Sequence, residues 1–366
     1  MQIERKIALG VYSDSGLNAL EISLIQTDGI DLYEIPLCMS RPYPSDLKER
    51  IFRFILKGDY TQTREMIDIT VALTDFHLSV IREFYETNKR LYPKIDVIGY
   101  SGHIVYHQPQ NKVSIALGDS QRIADEMKIP VISRFIQSDL KSGGQGGPLF
   151  ASFYGALTQT IQKPIGLLSL GGITTMTYIG ALGELQAFDV GIGTVLLDHW
   201  IFKHTGSEMD FDGLIAAKGC VDKRLLTYLL KTDFYQKLPP KTADKNTFID
   251  MYEHIHGCSL ADGAATLTAL IAHSIARARL FLTMQPKEWI LIGGGIYNPV
   301  LVRQIKSVLP EPVRTGLACG FQNDTLNAQG YAFLSVRSLM GLPISFPQTT
   351  GVMEPVTGGK CYSPQL

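Results

Sequence analysis

Three times along this chain a strand-like apolar run stops in a cluster of small residues. Ile7-Ala-Leu-Gly-Val-Tyr12 leads into Ser13-Asp-Ser-Gly16, Pro164-Ile-Gly-Leu-Leu-Ser-Leu170 into Gly171-Gly172, and Trp289-Ile-Leu-Ile292 into Gly293-Gly-Gly295. Glycine has no Cβ, so a ligand or a second backbone can come close at such a turn. The backbone N–H groups of tight turns and helix starts also bind anions, phosphates above all. Any one of these turns is explained as well by ordinary chain reversal. After the first turn, Leu20-Glu-Ile-Ser-Leu-Ile25 alternates with period two and predicts a second strand. Residues 164–179 repeat that strand, turn, strand design, and we read the pair as a weak internal duplication.

Elsewhere the periodicity is helical. Within 46–92, Leu47, Ile51, Phe54 and Ile55 share one face, and so do Leu73, Phe76, Val80, Ile81 and Phe84. Ser259-Leu-Ala-Asp262 is a capping box that opens a helix over 259–284, and Asn298-Pro299 suits another helix start. A further helix is expected over 323–340, and the tail from Gly341 reads as loop, with prolines at 343, 347, 355 and 364. At roughly 150 residues per domain, 366 residues make two lobes. The 34 Lys and Arg against 35 Asp and Glu leave a net charge of -1, which argues against a generic nucleic-acid or anionic-membrane binder. Five cysteines without close spacing predict reduced thiols, with neither disulfides nor structural zinc. The apolar runs are too short for a signal peptide or a membrane span, so a soluble, cytoplasmic protein is expected.

Two further features carry chemistry. Gly143-Gly-Gln-Gly-Gly-Pro148 is a dense glycine loop ahead of a small-residue helix over 149–157. Asp189 closes an apolar strand beside Gly191 and Gly193, where a carboxylate serves either as a general base or as the cap of the next helix. Taken together, Ser142-Gly-Gly-Gln-Gly-Gly-Pro-Leu149, Leu168-Ser-Leu-Gly-Gly-Ile173, Asp189-Val-Gly-Ile-Gly-Thr-Val-Leu-Leu-Asp198, Ala265-Thr-Leu-Thr-Ala269, Gly293-Gly-Gly-Ile-Tyr-Asn-Pro299 and Thr350-Gly351 resemble the anhydro-N-acetylmuramic acid kinase family. The resemblance runs from Leu9 to Gly351.

The resemblance implies an α/β chain with the two-lobed actin-like ATPase (ribonuclease H-like) fold and a central nucleotide and sugar cleft. The first lobe is expected to hold 1–130 plus 338–366, with the first phosphate hairpin. The second is expected to hold 131–337, with the second hairpin, the base and the adenosine motif. The implied activity is ATP-dependent: the intramolecular anhydro bridge of the sugar is hydrolysed and the freed 6-oxygen is phosphorylated, a step in cell-wall recycling. ATP and Mg2+ are the implied cofactors. A small amino sugar is the implied partner, with no nucleic acid or membrane, and a homodimer is compatible with all of this. Residue by residue, the resemblance makes Asp189 the catalytic base. It assigns Ser13, Asp14, Ser15, Gly16, Leu17, Asn18 and Ala19, with Gly171, Gly172, Gly293, Gly294 and Gly295, to ATP. It assigns Ser101, His103, Asp119, Asp139 and Gln145 to the sugar, and no side chain to a metal.

The departures are concentrated among ligand-holding groups. The family's first turn reads Ser-Gly-Thr-Ser, one residue, then Asp-Gly; here Asp14 replaces the glycine and Asn18 the aspartate. Glu21 stands for a later Asp, Ser101 and His103 for a His and a Gln, and Arg134-Phe135-Ile136 for Asp-Phe-Arg. Ala243-Asp244-Lys245-Asn246 stands for Thr-Gly-Arg-Glu. A carboxylate about 4 Å from one phosphate charge costs about 4 kcal/mol at an effective dielectric near 20. Arg134 or Lys141 is expected to offset this by pairing with Asp14. Two alternatives to the kinase stay open: a catalytically impaired relative that binds a sugar or a partner, and a kinase for another anhydro sugar.

Overall fold

A computed structural model of the chain describes residues 4–61, 63–243, 245–248 and 250–365. Asp244 of the replaced Thr-Gly-Arg-Glu stretch lies outside them. The chain forms two units, Met1–Leu157 with Asp324–Pro347 and Gly351–Leu366, and Thr158–Asn323 with Gln348–Thr350.

The strands of the first unit are β1 (Lys6–Ser13), β2 (Ala19–Thr27), β3 (Leu32–Pro42), β4 (Val97–Tyr100), the hairpin pair β5 (His103–Gln108) and β6 (Val113–Leu117), and β7 (Val131–Ser133). The main sheet runs in the order Lys360–Tyr362, β7, β4, β1, β2, β3. β1, β2 and β3 form an antiparallel meander, while β4 lies parallel to β1 and β7 parallel to β4. The second unit holds β8 (Ile165–Leu170), β9 (Ile173–Ile179), β10 (Leu185–Ile192), β11 (Trp289–Ile292) and β12 (Val313–Thr315), in the order β10, β9, β8, β11, β12. Again three strands meander and two follow in parallel. β8 to β12 thus repeat β1, β2, β3, β4 and β7. A duplicated meander-plus-parallel sheet is the ribonuclease H-like arrangement of actin-like ATPases, and the duplication read from residues 7–28 and 164–179 occupies equivalent places in the two sheets.

Helix signals translate into helices with short shifts at their ends. The 46–92 region forms Ser45–Lys57 and Arg64–Asn88, burying Leu47, Ile51, Phe54, Leu73, Val80, Ile81 and Phe84. Ser259 caps Leu260–Ala278 by accepting from the Asp262 N–H, and Asn298 caps Pro299–Val308 by accepting from Val300 and Leu301. Two segments differ from expectation. β7 bonds to β4, the stretch from it through Leu157 lies in the first unit, and the helix Leu326–Leu339 packs on β1, β2 and β4, so 131–157 and 324–337 belong with the first sheet although 131–337 was expected in the second lobe. The proline-rich tail also contains the strand Lys360–Tyr362, which pairs antiparallel with β7.

The helix Leu326–Leu339 is buried on nearly every side from Leu326 to Val336. Its seat is a window made by two glycines that are register partners across β1 and β4, Gly10 and Gly99. A Cβ at Gly10 would lie 1.7 Å from the Ala328 carbonyl oxygen, and one at Gly99 would lie 2.1 Å from that of Tyr331. Helix backbone therefore rests directly on strand backbone, which no residue with a side chain allows. Gly99→Ala should destabilise the protein by about 3 kcal/mol through overpacking, measured as the shift of a urea unfolding midpoint at unchanged slope; an unchanged midpoint would show that the seat yields freely.

Candidate functional site

The first turn is organised by Asp14. Its Oδ1 accepts from the backbone N–H of Asn18 at 2.8 Å and of Ala19 at 3.4 Å, and its Oδ2 accepts from that of Gly16 at 3.2 Å. The Asn18 side chain adds a fourth donor, Nδ2 to Oδ2 at 2.8 Å, and Lys48 Nζ donates to Asn18 Oδ1 at 3.3 Å, which fixes the amide's orientation. Leu17 closes the loop with a left-handed backbone (φ 52°), its N–H bonded to the Asp14 carbonyl at 3.1 Å. The expected pairing with Arg134 or Lys141 does not occur, since neither cation forms an ion pair with Asp14. Asp14 takes its partners from amides two to five residues away, which cost less chain entropy to reach than a remote side chain.

Below the turn lies a chain of buried hydrogen bonds. Tyr100 OH meets His77 Nδ1 at 2.7 Å, His77 Nε2 meets Tyr43 OH at 2.7 Å, Tyr43 OH donates to Ser13 Oγ at 2.7 Å, and Ser13 Oγ meets His103 Nδ1 at 2.9 Å. Burial, then the neighbouring His103, pushes His77 down to about 3, so its ring is neutral and carries one proton. Tyr43 spends its only hydrogen on Ser13, so His77 donates from Nε2 and accepts from Tyr100 at Nδ1. Ser13 Oγ, which accepts from Tyr43, also meets His103 Nδ1 at the far end of the chain.

Tyr100 also opens on a cavity of about 440 Å³, walled in addition by Ser101, Gly102, Asp119, Arg134 and Gln137. That volume suits a small polar ligand. Of the five residues assigned to the sugar, Ser101 and Asp119 line this space. Ser101 Oγ accepts from the Ser13 N–H at 3.1 Å, and Asp119 caps Ser120–Met127 by accepting from Arg122 N. His103 is fully buried against Ser13. Asp139 is buried too; its Oδ2 accepts from the Gly146 N–H at 2.6 Å and so fastens the glycine loop. Gln145 sits half-buried in that loop.

Glu21, on β2, is a carboxylate with little support. One of its oxygens is buried without a hydrogen-bond partner. Burial first, then the Asp14 and Asp324 carboxylates, push it up to about 8.

In the second unit Asp189 lies on β10 where the ladder to β9 shifts register, and such an irregularity re-aims a side chain. Oδ1 accepts from Thr175 Oγ1 at 2.8 Å and Oδ2 from the Ala243 N–H at 2.9 Å. Burial pushes its carboxyl up to about 6, opposed by those two hydrogen bonds and by Lys241. Lys241 is the residue that sequence reasoning left without a role. Its ammonium donates to the Phe234 carbonyl at 3.0 Å, and burial, then Arg277, push it down to about 8. The signal for it was the Pro239-Pro240-Lys241 run. At the second turn the Gly171 and Gly172 carbonyls accept from Thr194 N and Gly193 N, each at 2.9 Å, joining the turn to the start of the helix Thr194–Thr205. Gly293 has φ 83° and Gly294 begins a 3-10 turn ending at Tyr297; Asn323 Oδ1 accepts from Gly293 N at 2.8 Å.

Among known proteins, the family model described as anhydro-N-acetylmuramic acid kinase matches residues 6–364. The protein of that name from Rhizorhabdus wittichii is 36% identical, over 98% of this chain and 100% of its own length. Its namesake from Paramagnetospirillum magneticum is 35% identical over 98% and 100%, and the one from Rhodopseudomonas palustris 34% over 98% and 99%.

Tyr43→Phe removes the central link of the buried chain, leaving the His77 Nε2 proton without an acceptor and taking one donor from the Ser13 oxygen. The expected loss is about 1–3 kcal/mol of unfolding free energy, read by chemical denaturation; a loss no larger than that of a surface tyrosine would show that the chain is not stabilising.

Proposed function

Because the chain belongs to the anhydro-N-acetylmuramic acid kinase family, we propose that it performs that family's reaction with the residues described above. It is an ATP-dependent sugar kinase acting on a small amino sugar. Water adds to the anomeric carbon of the 1,6-anhydro sugar, the bond from that carbon to the 6-oxygen breaks, and the 6-oxygen takes the γ-phosphoryl group. ADP and the sugar 6-phosphate leave, and the proton from water goes to Asp189.

The observation that carries this assignment is the environment of Asp189. A general base works best when its pKa lies near the working pH, and Asp189 is pushed up to about 6 by burial while keeping two donors that hold its carboxylate in place. Lys241, pushed down to about 8, supplies a nearby positive charge that favours the ionised base. The cavity walled by Ser101 and Asp119 is the proposed sugar subsite. The first turn, Gly171-Gly172 and Gly293–Gly295 are the proposed nucleotide contacts. His103 and Asp139 act as supports, one for Ser13 and one for the glycine loop.

Magnesium completes the proposal. Glu21 fits it, being a buried carboxylate with an unpartnered oxygen and two acidic neighbours, Asp14 and Asp324. It would hold the ion directly or through water, since magnesium keeps most of its waters and adds one or two carboxylates and the phosphates. When bound, the ion neutralises phosphate charge. The proposed setting is the cytoplasm, where ATP is supplied.

Two outcomes are expected for Asp189. Initial rates with ATP, magnesium and the anhydro sugar should rise with pH through about 6, as the base ionises. Asp189→Asn should lose about a hundredfold to ten-thousandfold in kcat; a variant within threefold of the parent would remove Asp189 from the base role. Stability should move the other way. The folded-state value lies above the free-side-chain value of 3.8, so the fold favours the protonated form. That contribution is complete below 3.8 and is lost as pH rises through about 6. The Asn variant does not titrate, so between pH 4 and 8 it should gain about 2–3 kcal/mol relative to the parent, measured by denaturation at both pH values.

A further inference from the structure

We propose that the Asp14 carboxylate is a built-in competitor for the first turn's phosphate site, so that nucleotide enters only by expelling it; the idea rests on the kinase reading above. The turn is an anion site by geometry. The N–H groups of Gly16, Asn18 and Ala19 and the Asn18 side-chain amide converge on one pair of oxygens, and those oxygens belong to Asp14. Convergent backbone amides of this kind are what a phosphate uses elsewhere. Here they are already spent on a charged acceptor from the same chain, and charge-assisted bonds are the stronger class.

The two departures from the family pattern in this turn explain each other. With glycine at 14 the amides would point at solvent or ligand, and with aspartate at 18 the donor to Asp14 Oδ2 would be a second carboxylate. Asp14 and Asn18 instead form an acceptor and donor 2.8 Å apart, steadied by Lys48. Among the described residues, no cation forms an ion pair with Asp14. Its negative charge is therefore met by amide dipoles alone, the same groups an incoming phosphate needs. The Ser13 hydroxyl is itself engaged, by Tyr43 and by His103.

The test is calorimetric titration of the full-length wild type, Asp14→Gly and Asp14→Asn with AMP-PNP and magnesium, alongside ligand-free melting curves. Asp14→Gly should bind about ten- to a hundredfold more tightly, the range expected when charge-assisted hydrogen bonds no longer have to be exchanged. Asp14→Asn keeps the size and loses the charge, so it should fall between the two. Both variants should melt below the wild type without ligand. Measurable wild-type affinity with equal or weaker binding by both folded variants would overturn the latch and leave the kinase reading standing; weaker binding would make Asp14 a metal or nucleotide contact. Absence of binding in all three proteins would overturn both. Should Asp14→Gly fail to fold, a wild-type nucleotide complex decides: phosphate on the amides of Gly16, Asn18 and Ala19 with Asp14 displaced supports the proposal, and Asp14 still seated there ends it.

Discussion

The first unit depends on a contact between two backbones. Gly10 and Gly99 stand side by side on β1 and β4, and the helix Leu326–Leu339 lies on them with its carbonyls where Cβ atoms would be. Hydrophobic burial alone would not place that helix, because it is buried on nearly every side and no single apolar face marks its seat. The glycine window chooses the face. Once the helix is seated, β1 and β4 are fixed at the height where they end, and their ends carry groups proposed for the nucleotide and the sugar: Ser13 and the Asp14 turn from β1, and Ser101 beside Tyr100 from β4. A segment more than 300 residues away in sequence thus sets the level at which the first turn leaves the sheet.

The buried carboxylates show how hydrogen-bond supply decides ionisation. Asp189 and Glu21 are both taken out of water, which raises the pKa of any acid. Asp189 receives Thr175 and Ala243 as donors with Lys241 nearby, and settles at about 6. Glu21 has carboxylates for neighbours, and settles at about 8. At neutral pH the first is mostly charged and the second mostly protonated. The donors that each side chain receives, and not burial alone, separate the two states.

What could be read from the sequence follows from how local each signal is. The three glycine turns, the Ser259 and Asn298 caps and the apolar stripes of 46–92 depend on neighbours within a few residues, and each became the element it suggested. Lys360–Tyr362 was invisible because its pairing partner, β7, is some 230 residues away and the prolines around it describe a loop. The helix Leu326–Leu339 was seen as a helix, but its allegiance to the first sheet rests on Gly10 and Gly99, whose meaning appears only when they face a backbone. His77 and Tyr43 carried no motif, since His77 lies within the buried residues of an apolar helix and its role is set by Tyr43 and Tyr100 from other elements. Asp14 was recognised as the critical departure, yet its partner was misjudged. Remote cations stand out in a string of letters, whereas the amides that hold Asp14 are the same at every position and become donors only through the conformation of Leu17.

The bond between Asp14 and Asn18 also gives the loop a direction of evolutionary travel. Exchanging Asn18 for an acid while Asp14 stays would set two like charges 2.8 Å apart. Exchanging Asp14 for glycine first turns the Asn18 amide and the N–H groups of Gly16, Asn18 and Ala19 toward solvent, and no like charges meet. The two sites are epistatic, and the passable route between this loop and one with glycine and aspartate in those places changes position 14 before position 18.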